Sequence, residues 1–246
     1  VAALSLFLLR VSCLSVAVVI AMLAMDQPRV PRRFAYMAAR IAVATLLLGV
    51  LTGVLGVSAH AASVPRGALP YRSDVIRAAR SRWGIDAPVA TFAGQIQTES
   101  AWHPAARSPV GAAGMAQFMP QTARWLCGQH PNLPPGCDVL SPAWAIQALV
   151  AYDLDLYRAT PHAARCGRMW AALRGYNGGL GYWWQEWRIA GRPANLRLAD
   201  RACGRGRRSA RYCAENLSYP RSVLRFQLYY LEWGPGVCDH QSTGVK

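Results

Sequence analysis

The chain has 246 residues, with 27 Lys and Arg against 12 Asp and Glu, a formal net charge of +15 and a pI near 10.2. That length gives room for one domain of ordinary size beside a non-domain segment. The charge favours an anionic partner without choosing among nucleic acid, acidic lipid and peptidoglycan.

Residues 1–25 are strongly apolar, interrupted by Arg10. A basic patch follows (Arg29, Arg32, Arg33, Arg40), then a second apolar run, Ile41 to Ser58, that ends in Ala59-His60-Ala61. Basic flank, apolar stretch and A-x-A stand in the order of a secretory signal peptide cleaved after Ala61. Met25 and Met37 are both suitable starts for it, which would put the first 24 to 36 residues upstream of the true start. The rival reading of residues 1–61 is a membrane hairpin. Both runs are near spanning length, and the arginines between them would stay in the cytoplasm. Either arrangement delivers the rest of the chain across the inner membrane, into the periplasm or beyond, with an anchor in the second case.

Residues 62–72, with Pro65, Gly67 and Pro70, read as a linker, and residues 73–238 as a mainly α-helical domain followed by a tail, 239–246. Ser73-Asp74 open a helix carrying Val75, Ile76, Ala79 and Trp83 at helical spacing, and Gly84 stops it. An apolar helix from Ala87 to Glu99 follows, then a loop with Pro104 and Pro109. Helix is expected again from Met115 to Leu126, and an irregular loop from Cys127 to Cys137. Ser141-Pro142 supply a cap and a first-turn proline for a helix reaching Arg158. Arg165–Arg174 and Tyr182–Ile189 read as further helices, Arg192–Arg211 as basic loop, and Tyr219–Tyr230 as the last helix. Strand signals are nearly absent, and no internal repeat or low-complexity segment occurs.

Seven cysteines are present, Cys13 in the apolar N-terminus and six beyond it: Cys127, Cys137, Cys166, Cys203, Cys213 and Cys238. Their spacings fit no zinc pattern, and an even set in an exported chain reads as disulfides. Six cysteines leave many connectivities open. The expected pairs are Cys127–Cys137 and Cys203–Cys213 as short loops, with Cys166–Cys238 tying down the C-terminus. The histidines His103, His130, His162 and His240 show no ligand spacing, so neither a metal nor a cofactor is expected. Gly178-Gly179-x-Gly181 lacks both the dinucleotide glycine order and the P-loop lysine. Trp183, Trp184 and Trp187 read as core, with sugar stacking as the alternative, and the run Gly204–Arg211 reads as a solvated basic loop.

Three blocks carry the chemistry. Glu99-Ser100 ends the apolar helix. Gly111-Ala-Ala-Gly-Met-Ala-Gln117-Phe-Met-Pro120-Gln-Thr-Ala123 follows, and about sixty residues later comes Gly175-Tyr176-Asn177-Gly178-Gly179. In this order the blocks resemble the lysozyme-like lytic transglycosylases of the soluble (SLT) type. That family shows Glu-Ser, then Gly-Leu-Met-Gln running into Met-Pro-x-Thr-Ala, then Ala-Tyr-Asn. The departures are Ala116 in place of the family's Met and Gly175 in place of its Ala. The resemblance covers roughly Ser73 to Gly236 and implies an all-helical lysozyme-like (SLT/goose-type) fold.

The resemblance also implies a reaction. Glu99 is the expected catalytic acid and base, since none of Asp86, Asp138, Asp153 and Asp155 falls in a family block. It would protonate the glycosidic oxygen of peptidoglycan while the substrate's N-acetyl group supports the positive centre. The ionised Glu99 would then take the C6 hydroxyl proton of N-acetylmuramic acid, closing a 1,6-anhydro ring. Such a carboxyl must be protonated near neutral pH, which burial against apolar neighbours achieves. Ser100, Met115, Gln117, Tyr176, Asn177 and Tyr219 are the residues that the resemblance assigns to the substrate cleft. Peptidoglycan is then the partner, with secretion, conjugation or bacteriophage machinery in the envelope as the setting of such enzymes; nucleic acid is not expected. Two alternatives stand: a lysozyme-type muramidase, in which water replaces the C6 hydroxyl, and an inactive Arg-rich binding protein for glycan or nucleic acid.

Overall fold

The computed structural model of the chain describes residues 63–238. The signal or hairpin segment, Cys13, His60, His240 and the tail lie outside the described residues. Seven α-helices carry the described part: α1 (Arg72–Trp83), α2 (Val89–Ser100), α3 (Pro120–Gln129), α4 (Pro142–Arg158), α5 (Arg165–Gly178), α6 (Leu180–Ile189) and α7 (Cys213–Phe226). Short 3-10 turns cover Arg66–Tyr71, Leu196–Ala202, Ala210–Tyr212 and Gln227–Tyr230. Among the described residues the only strand-like pairing is two isolated bridges, Arg107 with Ala113 and Ala113 with Phe118. No described helix is long and apolar enough to cross a membrane.

Helix α2 sits at the centre. Every residue from Val89 to Ile96 is buried, so it is enclosed on all sides rather than along one stripe. It packs on α1, α7 and the 227–230 turn, while α4 packs on α1 and α5. Gly94 makes the closest of these approaches. A Cβ there would fall 2.6 Å from the Gln227 nitrogen and the Val223 oxygen, so only glycine lets α7 come this near. The buried start of α2 has free N–H groups that need acceptors. Pro235 supplies one through its carbonyl, which accepts from Ala90 N–H at 3.1 Å. The C-terminal strap is held further by Val237 N–H donating to Thr91 Oγ1 at 3.1 Å.

All three expected disulfides are present, Cys127–Cys137, Cys166–Cys238 and Cys203–Cys213. The second fastens the strap that caps α2.

Several boundaries differ from expectation. Residues 66–71, read as linker, form a 3-10 turn in which Tyr71 stacks on Trp102 with ring centres 6.0 Å apart. The expected helix from Met115 begins only at Pro120. Pro120 holds Met119 extended (φ −66°, ψ 144°), and Gln117 is left-handed at φ 48°. Helix α5 runs on to Gly178, which puts Tyr176 and Asn177 on a helix. Helix α7 starts at Cys213, beside its disulfide, rather than at Tyr219, and gives way to a 3-10 turn after Phe226.

Arg192–Arg211, read as basic loop, contains the 3-10 turn Leu196–Ala202, and the Gly204–Arg211 run read as solvated is exposed at most positions but not at Arg208. Leu196, Ala199 and Ala202 are buried, and Arg208 is 6% exposed. Fully buried Arg174 of α5 pairs with Glu186 of α6 and Asp200, and Arg208 pairs with the other Glu186 oxygen at 2.6 Å. A buried charge is tolerated only when paired, and each partner comes from a different element. Trp183 is fully buried, with Trp184 and Trp187 packed partly buried against the same cluster.

The disulfides enclose loops of different size, with separations of 72 for Cys166–Cys238 and 10 for Cys127–Cys137. Loop-closure entropy therefore predicts that replacing the Cys166–Cys238 pair by serines costs about 2 kcal/mol more than replacing Cys127–Cys137. Urea unfolding of the two double variants measures the difference.

Candidate active site

Glu99 is in the last turn of α2, and the residues directly after it hold it in place. Ala101 and Trp102 both adopt left-handed backbone, at φ 49° and 70°. Two consecutive non-glycine residues in this region are costly and persist only where the surroundings hold them. Trp102 supplies the hold. It is 3% exposed, wedged among Tyr71, Tyr230 and Trp233, and its indole N–H donates to the Tyr230 hydroxyl at 2.7 Å. Ser100 turns inward and donates to the Met115 carbonyl at 2.8 Å, fastening the second block to the end of α2.

The 111–119 loop is wound on itself. Gln117 donates through its side-chain amide to the carbonyls of Gly114 at 2.8 Å and Ala106 at 3.2 Å. Gly114, at φ +79°, lies so close to the Val139 carbonyl that a Cβ would be 1.8 Å from it. Met115 is 1% exposed. Its side chain belongs to the core, and its carbonyl is already taken by Ser100.

Helices α5 and α7 supply the opposite wall. Tyr219 donates its hydroxyl to Glu99 Oε1. Tyr176 lies parallel to Tyr219, with ring centres 6.3 Å apart, and donates to the Ala116 carbonyl at 2.7 Å. The position where the family has Met thus serves through its backbone. Asn177 accepts from Asn216 at 2.9 Å and donates to Glu215 at 3.2 Å. Asn216 in turn accepts from Arg174 at 2.6 Å, which links the cleft wall to the buried ion pairs. The structure therefore brings Glu99, Ser100, Tyr176, Asn177 and Tyr219 together through hydrogen bonds and ring contacts, with Gln117 turned onto its own loop next to Ala116 and Met115 in the core.

Electrostatics make Glu99 an acid near neutral pH. Its carboxyl is enclosed while the residue keeps an edge open to solvent. Burial pushes its pKa up to about 8; the Tyr219 hydrogen bond pulls it down, and the charge of Glu215 adds a smaller upward push. Exposed Glu215 carries no motif, so nothing local in the sequence distinguished it. Its neighbour Asn216 links it to the site only through the fold.

A groove of about 900 Å³ opens beside this cluster, lined among others by Met119, Arg124, Trp125, Tyr152, Asp155 and Leu180. It connects to Glu99 through rings. Trp125 meets Tyr152 at 5.9 Å, Tyr152 meets Tyr176 at 5.4 Å, and Tyr176 stacks on Tyr219. Trp125 is 46% exposed, an indole face open to the groove. Its helical setting in the sequence resembled any surface tryptophan, so only the groove singles it out. Gly175, the family's Ala, lets Leu180 come close, since a Cβ would meet Leu180 at 3.0 Å. Among the described residues, no group of His, Cys, Asp and Glu side chains is arranged to hold a metal ion.

The transglycosylase SLT domain model matches residues 74–196. The structure is similar to an inactive Glu-to-Gln mutant of the lytic transglycosylase Slt from Pseudomonas aeruginosa, at 21% identity and a TM-score of 0.55, over 72% of this chain and 26% of that one. It is also similar to the 70-kDa soluble lytic transglycosylase solved in complex with bulgecin A, at 25% identity and a TM-score of 0.51, over 72% of this chain and 27% of that one. The chain thus spans about a quarter of the length of these solved proteins. No curated protein sequence matches it significantly.

Losing the Tyr219 hydroxyl removes a bond that favours the Glu99 carboxylate. Tyr219→Phe should therefore raise the Glu99 pKa and move the pH at which it ionises upward by about one unit or more. Carboxyl-13C NMR of glutamate-labelled protein follows that titration directly.

Proposed function

Because the chain belongs to the transglycosylase SLT family, we propose that it is a peptidoglycan lytic transglycosylase. It cleaves the β-1,4 bond between N-acetylmuramic acid and N-acetylglucosamine without water and leaves a 1,6-anhydro end. The observation that carries this reading is Glu99, a carboxyl raised to about 8 at the end of a buried helix, with Tyr219 donating to it.

In the first half of the reaction, protonated Glu99 gives its proton to the leaving glycosidic oxygen. The substrate's own N-acetyl group supports the oxocarbenium-like carbon, so no second protein carboxylate is required. In the second half, Glu99 is a carboxylate steadied by the Tyr219 hydroxyl, and it takes the C6 hydroxyl proton as the ring closes. Burial favours the acid and the tyrosine favours the base, so one group serves both halves. Ser100 and Gln117 hold the loop that floors the cleft, Tyr176 and Asn177 form its wall, and Trp125 stacks on a sugar further along the groove. The three disulfides support action in an oxidising compartment, the periplasm or outside the cell.

A muramidase is the second reading, and Glu215 favours it: an exposed carboxylate close enough to Glu99 to act on it electrostatically could activate a water. Mass analysis of the fragments released from purified peptidoglycan separates the two. Products lighter by one water than hydrolysed sugars are expected, and Glu99→Gln should lower their release at least about a hundredfold. Products with ordinary reducing ends would assign the muramidase, and no release by folded wild type would assign the binding protein.

Wild-type activity has a defined pH dependence as well. The acid form of Glu99 is present below about 8 and lost above it, so the rate should fall as pH rises through 8. Initial rates on a cell-wall suspension between pH 5 and 10 measure this.

A further inference from the structure

One buried carboxyl takes no part in the bond cleavage. Asp153 of α4 is fully buried and faces Gln95 of α2, which is also fully buried and lies one helical turn before Glu99. Gln95 donates through Nε2 to Asp153 Oδ1 at 3.4 Å. Two atoms are left over, Gln95 Oε1 and Asp153 Oδ2, both buried and both without a partner. Each is an acceptor if Asp153 is ionised, and two buried orphan acceptors are costly. Turning the Gln95 amide over does not help, because it brings an oxygen against an oxygen.

A single proton resolves both. A carboxylic acid and a primary amide satisfy each other in a closed ring, N–H to carboxyl oxygen and O–H back to amide oxygen. We propose that Asp153 and Gln95 form such a neutral acid–amide pair, which fastens the catalytic turn of α2 to α4 and leaves Glu99 the carboxyl that changes charge in the core of the site. The role is a positioning one, and its functional half rests on the reading of Glu99 as acid and base.

The surroundings agree. No ion pair reaches Asp153 among the described residues. The charged group that acts on it is Glu99 of α2. Its own charge in turn acts on Tyr152 of its helix, Tyr176 of α5 and Tyr219 of α7, and none of these groups is a cation. From α1, Arg82 engages Asp155 instead. Burial pushes Asp153 well above the usual carboxylate range, the Gln95 bond opposes this, and the Glu99 charge adds to the rise. An ionised Asp153 would also repel the Glu99 carboxylate and hold Glu99 in its acid form, against its second task.

Asparagine is the discriminating replacement, because its amide can make the same ring with Gln95 and never ionises. The folded wild type keeps a proton that the unfolded chain gives up above the ordinary aspartate range. Its stability therefore falls, relative to Asp153→Asn, as pH rises toward the folded-state value. Urea unfolding of the full chain and of Asp153→Asn from pH 4.5 to 7 should show the ratio of their unfolding constants growing about tenfold per pH unit. Asp153→Asn should also keep the basic limb of activity where wild type has it, whereas Asp153→Leu, which strands the Gln95 amide, should be less stable than Asp153→Asn throughout. A ratio that does not change with pH, together with a basic limb shifted down in Asp153→Asn, would mean an ionised Asp153 and overturn the proposal. Should Asp153→Asn fail to fold, carboxyl-13C NMR of aspartate-labelled wild type decides. The carboxyl correlated with the Gln95 amide protons keeps its acid shift at pH 7 if the pair is neutral, and shows the carboxylate shift if it is not. Inactive wild type with the expected unfolding slope would leave the pair standing and remove the transglycosylase reading alone.

Discussion

A carboxyl enclosed by protein resists ionisation, and the one hydroxyl that Tyr219 offers Glu99 only partly offsets that resistance. The rest of the architecture follows from keeping these two groups together in a place with little water. Glu99 needs a support that does not move, and α2 provides it by being buried on every side from Val89 to Ile96. Tyr219 needs α7 close alongside, which Gly94 permits by having no side chain where the α7 backbone passes.

The opposing wall is aligned by charge. Arg174 is fully enclosed and must be fully paired, and its partners Glu186, Asp200 and Asn216 lie on three other elements. Satisfying one guanidinium therefore fixes α5 relative to α6, to the 196–202 turn and to α7 at once. Tyr176 and Asn177 sit one short step along α5 from that anchor. Their registry with Tyr219 comes from this pairing together with their own contacts to α7, the Tyr176–Tyr219 stack and the Asn177 bonds to Asn216 and Glu215. The arginine content that made the chain look like a binder of anions is, at Arg174 and Arg208, spent on internal neutralisation.

Left-handed non-glycine backbone gathers in the stretch that joins the two walls, with Cys137 and Arg192 the other such positions among the described residues. Left-handed backbone at Ala101, Trp102 and Gln117 brackets the loop between the catalytic turn and α3. It is held by buried contacts: the Trp102 ring cluster, the Ser100 bond to Met115 and the Gln117 amide turned onto its own loop. The sharp turn directly after Glu99-Ser100 leaves Glu99 half-buried at an edge, while the helix before it, Val89 to Ile96, remains in the core.

Much of this was legible in the chain itself. The apolar run ending in Glu99-Ser100, the Ser141-Pro142 cap and the even cysteine set are local signals, and local signals specify local structure: helix ends, a cap, short disulfide loops. The three motif blocks identified the family because residue types in a fixed order are legible whatever the surrounding packing. Other features have no local signature. Met115 reads like a cleft residue and is core, since burial depends on what lies on the far side. Arg208 reads as part of a solvated run because its charge is visible and its partner Glu186, on another element, is not. The Asp153–Gln95 contact, the role of Glu215 beside Glu99 and the groove face of Trp125 all arise between elements distant in sequence. Residue type and spacing settled the family to which this chain belongs. Only the tertiary structure decided which carboxyls are desolvated and by what, because burial and pairing are properties of three-dimensional neighbours.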